Sequence, residues 1–110
     1  MTVAELVKKL DLEIVVDADL DKAIAGAYIG DLLSNVMARA KENNLWVTIQ
    51  GHQNMVAVAL LTGVSAVVIA EDFEIENDAI ERARDKGVNI LRTSRTAYDF
   101  VLEMSEVNKA

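Results

Sequence analysis

Two stretches of the sequence, Gly63-Val64-Ser65-Ala66-Val67-Val68-Ile69-Ala70 and Gly87-Val88-Asn89-Ile90-Leu91, decide how the chain folds. Each opens on a glycine suited to the left-handed turn that ends a helix. Each then runs into apolar, largely β-branched residues, the composition of a strand. Asn44-Leu45 carries the same pairing, an αL-tolerant residue followed by an apolar one, ahead of the apolar run 46–49. A helix end that repeatedly leads into a strand predicts successive βα units. Right-handed crossovers between such units build a parallel sheet.

Working outward, strands are expected over 12–16, 46–49, 65–70 and 88–91. Residues 23–29, punctuated by Gly26 and Gly30, suit a short strand or an extended loop better than a helix. The first helix opens on a capping box, Thr2 with Glu5 three residues on, and buries Leu6, Val7 and Leu10. Asp31 is the expected N-cap of the next, whose apolar face is Leu32, Leu33, Val36, Met37 and Ala40. Residues 54–61 and 78–86 read as further helices, the second polar outside a narrow Ala79, Ile80, Ala83 stripe. Ser94 or Thr96 opens the last, with Ala97, Phe100, Val101 and Met104 inward.

Composition narrows the function classes. The 110 residues carry a formal charge of −7, with 52% hydrophobic side chains, no cysteine, no proline and one histidine. One domain, 1–110, is the expectation from length. Zero cysteine excludes thiolate metal sites, disulfides and cysteine nucleophiles. The acidic balance argues against nucleic acid as a partner. No apolar run approaches the roughly 20 residues of a membrane helix. The start lacks the basic and apolar stretches of a signal peptide, so no membrane association and a cytoplasmic location are expected.

In a parallel sheet, ligands bind at the rim where strand C-termini and helix N-termini gather. Three polar segments are expected there: Gln50-Gly51-His52-Gln53-Asn54, Glu71-Asp72 and Arg92-Thr93-Ser94-Arg95-Thr96. Gly51 permits close backbone approach, and His52, Gln53 and Asn54 offer donors and acceptors. The plain structural alternative is a turn in which Asn54 caps the helix and His52 lies on the surface. The third segment sets two guanidiniums beside three hydroxyls at a helix start, which suits a phosphate or carboxylate. The alternative is an N-cap with two solvated arginines, and Glu71 or Asp72 could pair with either. A divalent metal at Asp31, Glu71 and Asp72 has no loop signature behind it. No phosphate-binding glycine loop, dinucleotide fingerprint or nucleophile elbow occurs. No catalytic residue, metal or cofactor is therefore assigned.

Residues 55–61, Met-Val-Ala-Val-Ala-Leu-Leu, leave their helix without a polar face. Such a helix needs cover on all sides. A second copy of the chain is the expected cover, with Met55, Val58 and Ala59 at a homodimer interface. Burial under the chain's own amino-terminal segment is the alternative.

The stretch Tyr28-Ile29-Gly30-Asp31-Leu32-Leu33-Ser34, then Trp46-Val47-Thr48-Ile49-Gln50-Gly51-His52-Gln53-Asn54 and Val56-Ala57-Val58-Ala59, resembles the DRTGG domain family. The opening residues 2–8 and the closing residues 87–93 resemble the amino-terminal domain of HPr kinase/phosphorylase, a relative of that family. The resemblance implies an α/β sandwich with a mainly parallel sheet. With the βα units above, the expected architecture is a three-layer α/β/α sandwich. It also implies an accessory, regulatory role. HPr kinase keeps its activity in a separate carboxy-terminal domain with a phosphate-binding loop, so kinase activity is not carried over. The family's Asp-Arg motif should fall near Gly51, where this chain has His52-Gln53-Asn54.

The reading is a non-enzymatic, homodimeric ligand-sensing domain in which binding orders the rim loops and shifts the dimer or a contact with a partner, a partner enzyme being one candidate. A small anionic metabolite or nucleotide would contact Gly51, His52, Gln53, Asn54, Thr93, Ser94 and Arg95. Two alternatives stay open: a pure dimerisation or interaction module without a ligand, and a small enzyme using His52 as acid or base.

Overall fold

A computed structural model describes residues 1–108. Helix α1 (Val3–Leu10) begins at the expected capping box: the Thr2 hydroxyl accepts from the Glu5 N–H, and the Glu5 carboxylate accepts from the Thr2 N–H. The chain continues through β1 (Glu13–Val16), β2 (Ala27–Ile29), α2 (Leu33–Arg39), β3 (Leu45–Thr48) and α3 (Gln53–Thr62). Then follow β4 (Ala66–Ile69), α4 (Asn77–Lys86), β5 (Ile90–Arg92) and α5 (Ala97–Asn108).

The five strands form one sheet in the order β1-β5-β4-β3-β2. The pairs β2–β3, β3–β4 and β4–β5 are parallel, and β1 closes the far edge antiparallel to β5. Every residue of β3 and β4 is buried, as both faces of a sandwiched sheet require. On one face Trp46, Val67, Ile69 and Ile90 pack against Val36 of α2, Met55 and Val56 of α3, and Ala79 and Ala83 of α4. On the other, Leu45, Val47, Val68 and Leu91 pack against Leu6 of α1 and Phe100 and Met104 of α5. The fold is the expected three-layer α/β/α sandwich.

Gly63 and Gly87 end α3 and α4 in the left-handed conformation (φ 74° and 79°), and each cap N–H bonds back into its helix. The third junction differs. The left-handed residue is Asn43 (φ 67°), not Asn44. Asn44 is buried, and its amide bonds Lys41 N–H and Ala25 C=O, tying the start of β3 to the segment that leads into β2. Of the ambiguous stretch 23–29, residues 27–29 form the edge strand β2, and Ala23 makes an isolated bridge to Thr2.

Met55, Val58 and Ala59, expected at a subunit interface, lie inside the chain's own core, no more than 5% exposed. The cover comes from α2 and α4, which flank α3, and not from the amino-terminal segment. Burial of Met55 and Val58 is worth roughly 1.5–3 kcal/mol each, so neither is free to meet a partner. The large apolar side chains that α3 does expose are Leu60 and Leu61, and α2 beside it exposes Met37. Among the described residues, no helix is long and apolar enough to cross a membrane.

Candidate functional site

The parallel strands bring four strand-to-helix loops to one rim: 30–32 after β2, 49–52 after β3, 70–76 after β4 and 93–96 after β5. The two segments expected to hold a ligand therefore lie at the same end of the sheet. They are not in contact across an open cleft. The β4–α4 loop runs between them, and its backbone bonds both.

On one side, Glu76 N–H donates to Gly51 C=O at 2.9 Å. On the other, Glu71 N–H donates to Arg95 C=O and Asp72 N–H to Thr93 C=O, both at 2.9 Å. Gly51 is needed for this approach: a Cβ there would come within 2.0 Å of the Glu74 carbonyl oxygen. Glu71 and Asp72 are consecutive left-handed residues (φ 59° and 52°). That conformation is unfavourable by roughly 1–2 kcal/mol for a residue with a Cβ, less for Asp. The bonds to Thr93 and Arg95 hold it.

The first two loops are joined through Asp31. Its carboxylate accepts from the Thr48 hydroxyl (2.8 Å) and the Ile49 N–H (3.1 Å), and its carbonyl accepts from the Gln50 amide (2.9 Å). Asp31 is thus a bridge to β3 and not the cap of α2. That helix starts at Leu32 without a side-chain cap.

His52, not Asn54, caps α3: its Nδ1 accepts from the Asn54 N–H at 3.1 Å. The ring is about half exposed, with Nε2 at 3.8 Å from the Glu76 carboxylate. Gln53 and Asn54 form the exposed first turn of α3. Gln53 borders a surface groove of about 350 Å³ whose other walls are the charged face of α4, Asp78, Glu81, Arg82, Asp85 and Lys86.

Both rim guanidiniums already have carboxylate partners, and neither partner is Glu71 or Asp72. Arg92 makes a two-pronged pair with Glu13, opposite it in the antiparallel β1–β5 register, at 3.0 and 2.9 Å. Hydrogen bonding to Glu13 raises the Arg92 pKa further above its ordinary value. Arg95 donates through Nε to Glu103 of α5 at 2.6 Å and through its terminal nitrogen to the Thr93 hydroxyl at 3.1 Å. Thr93 is buried, Ser94 is exposed, and Thr96 caps α5 by accepting from Asp99 N–H. Among the described residues, no three His, Asp or Glu side chains group to hold a metal ion, so Asp31, Glu71 and Asp72 do not converge.

Phe73 in the β4–α4 loop and Tyr98 in the first turn of α5 are exposed at this end of the molecule. Sequence reasoning passed over both. The available signal was an aromatic placed just after a strand end or a helix start, where the core has no use for it.

A family model described as "DRTGG domain" matches residues 5–107. Among solved structures, the chain is similar to the CBS and DRTGG domains of the regulatory region of Clostridium perfringens pyrophosphatase, complexed with the activator diadenosine tetraphosphate. The TM-score is 0.73 at 10% identity, covering 92% of this chain and 44% of that one, so the present chain spans less than half of its structural neighbour. At that identity the likeness is one of fold. No curated protein matches.

Proposed function

The chain belongs to the DRTGG domain family, and from that premise we propose that it is a single regulatory, ligand-sensing domain without enzymatic activity of its own. It acts as a homodimer, senses a small anionic metabolite or nucleotide at the strand C-terminal rim, and passes the change to a partner enzyme. The similar pyrophosphatase region is regulatory and was solved with a nucleotide activator, which supports a phosphorylated ligand class.

The observation that carries the reading is Arg95. Its guanidinium is positioned on the rim by Thr93 and neutralised by Glu103, and its own carbonyl holds the β4–α4 loop through Glu71. An exposed ion pair is worth only ~0–1 kcal/mol. A phosphate that accepts two N–H groups of the guanidinium in place of Glu103, with the bond to Thr93 kept, is held more strongly, so exchange of Glu103 for a ligand phosphate is favourable. The exposed Phe73 and Tyr98 are suited to stack a base.

The enzyme reading has weaker support. His52 spends Nδ1 on the α3 cap, and the β4–α4 loop separates it from Arg95.

The test is calorimetric titration with ATP, AMP and diadenosine polyphosphates. Wild type binds at least one of them. Arg95→Gln weakens binding about tenfold or more, and Glu103→Gln strengthens it by freeing the guanidinium. No heat and no thermal shift with any of these ligands at millimolar concentration would refute ligand sensing at this rim.

A further inference from the structure

The two edges of the sheet are built differently. The β1 edge carries Glu13 between Asp11 and Asp17, and its pairing with β5 is interrupted by a register shift between Ile14 and Val16. Charge and irregularity are the usual devices that keep an edge strand from pairing with another chain. The β2 edge has neither. Residues 23–30, Ala-Ile-Ala-Gly-Ala-Tyr-Ile-Gly, contain no charged side chain and no proline, and β2 pairs with β3 in regular register.

Gly26 C=O and Gly30 N–H bond β3 through Leu45 and Val47. By the alternation of a parallel ladder, Tyr28 also faces β3, while the N–H and C=O of Ala27 and Ile29 face outward. Among the described residues, none reaches those four outward groups.

We propose that the β2 edge is the surface on which a second copy of this chain docks, with β2 pairing antiparallel to its counterpart about a two-fold axis at Tyr28 and joining the two sheets into one. This deepens the homodimer in the function proposed above and rests on it.

Three observations select a second copy. The first is register. With the axis at Tyr28, Ala27 lies opposite the partner's Ile29 and exchanges both backbone hydrogen bonds with it, and the reciprocal pair does the same, so all outward groups are satisfied. The second is shape. Opposed residues in an antiparallel pair share a face. On that face Gly26 and Ala27 border a groove of about 210 Å³ completed by Val101, Met104, Ser105 and Asn108 of α5. The small Ala27 leaves this groove open where the partner's Ile29 would stand, and Ile29 itself is 49% exposed. The third is charge. Two copies of a chain with net charge −7 repel. A two-fold contact sets the strip around its axis against the same strip of the partner, and residues 23–30, which carry no charge, meet there without setting carboxylate against carboxylate.

The test combines sedimentation equilibrium with amide hydrogen exchange on the full chain, wild type and Ile29→Lys. The lysine is a common guard of edge strands and leaves the β2–β3 bonds untouched, and circular dichroism checks that the variant is folded. Wild type sediments as a dimer, and the Ala27 and Ile29 amides exchange more slowly on concentration. In Ile29→Lys the dimer weakens about 100-fold, because both Ile29 side chains are lost at once across the axis, and that protection disappears. A monomeric wild type, a dimer that survives the substitution, or unprotected Ala27 and Ile29 amides in the dimer overturns the proposal. Nucleotide titration of Ile29→Lys reads the ligand-sensing function separately, so the two can fail independently.

Discussion

Gly51→Ala tests whether the rim loops are as closely packed as their hydrogen bonds indicate. The added Cβ would stand 2.0 Å from the Glu74 carbonyl oxygen and 3.0 Å from Ile75 Cα, where ordinary contact begins at 3.4 Å. The obstacle is backbone on both sides, so no side-chain rotation relieves it. Gly51 does not have a positive φ, so alanine adopts its conformation freely and the steric effect stands alone. The β3–α3 and β4–α4 loops must part by more than an ångström. That breaks the Glu76 N–H to Gly51 C=O bond, worth about 1 kcal/mol. Overpacking of this kind costs about 1–3 kcal/mol more. The expected destabilisation is roughly 2–4 kcal/mol, a fall in Tm of roughly 10–25 °C for a domain of this size. Urea denaturation gives the free energy. Hydrogen exchange locates it: the Glu76 amide loses protection while the β4–β5 ladder keeps its own. A variant within 0.5 kcal/mol of wild type, with Glu76 still protected, would show that the loops yield without resistance and that the argument for a tightly coupled rim is wrong.

Asn89→Ala should destabilise by about 2–4 kcal/mol in urea, because the buried amide bonds Ala18 N–H, Asp19 N–H, Asp19 C=O and Ser65 C=O. At the α3 cap, His52→Ser should keep wild-type stability within about 0.5 kcal/mol, whereas His52→Ala should lose about 1 kcal/mol, both measured by thermal melts. Acid should weaken the α1 cap. The Glu5 pKa is lowered below its ordinary value because the carboxylate accepts from the Thr2 backbone N–H and hydroxyl. Its contribution is therefore complete above the unfolded value of 4.5 and is lost as pH falls through the lower folded value. In Glu5→Gln, denaturation midpoints at pH 7 and pH 3 should lie closer together than in wild type.

The legible parts of the fold were those encoded locally. Gly63 and Gly87 sit where a left-handed cap is required, and 66–69 is apolar on both faces because both faces are buried. The capping box at Thr2 is likewise a matter of neighbours in sequence. What escaped was decided by tertiary contacts. Asp31 and Asn54 stand at plausible cap positions, but Asp31 is drawn to Thr48 of the neighbouring strand, and the chain turns two residues earlier than Asn54, at His52. The carboxylate partners of Arg92 and Arg95 depend on strand order and on where α5 lies, and spacing does not give these. The apolar α3 was ambiguous in principle. Composition does not distinguish a helix buried by another subunit from one buried by two neighbouring helices of its own chain. The small residues Ala79 and Ala83, read only as a narrow stripe on α4, are what let α4 cover it. Asn89 did leave a sign in the sequence, a lone amide inside the apolar run Val88-Asn89-Ile90. A polar side chain in such a place has to find several partners.

Arg92 and Arg95 look equivalent in the sequence and are not equivalent in the structure. Arg92 is fixed by two hydrogen bonds to a carboxylate directly across the β1–β5 ladder, so removing it from Glu13 disturbs an edge of the sheet. Arg95 reaches from a loop to Glu103 on a helix surface, and Thr93 keeps its guanidinium in place when Glu103 leaves. Only Arg95 can change partners without disturbing the fold. Its backbone carbonyl and that of Thr93 also hold Glu71 and Asp72 in a left-handed conformation that those side chains resist. In the proposed function, a phosphate that draws Arg95 from Glu103 thus pulls on the segment least content with its own geometry. That segment in turn bonds Gly51 through Glu76, so a contact made beside β5 is felt beside β3 through the backbone alone. Coupling of this kind needs no open cleft between the two segments, and the loop that fills the space between them is the part that would transmit the signal.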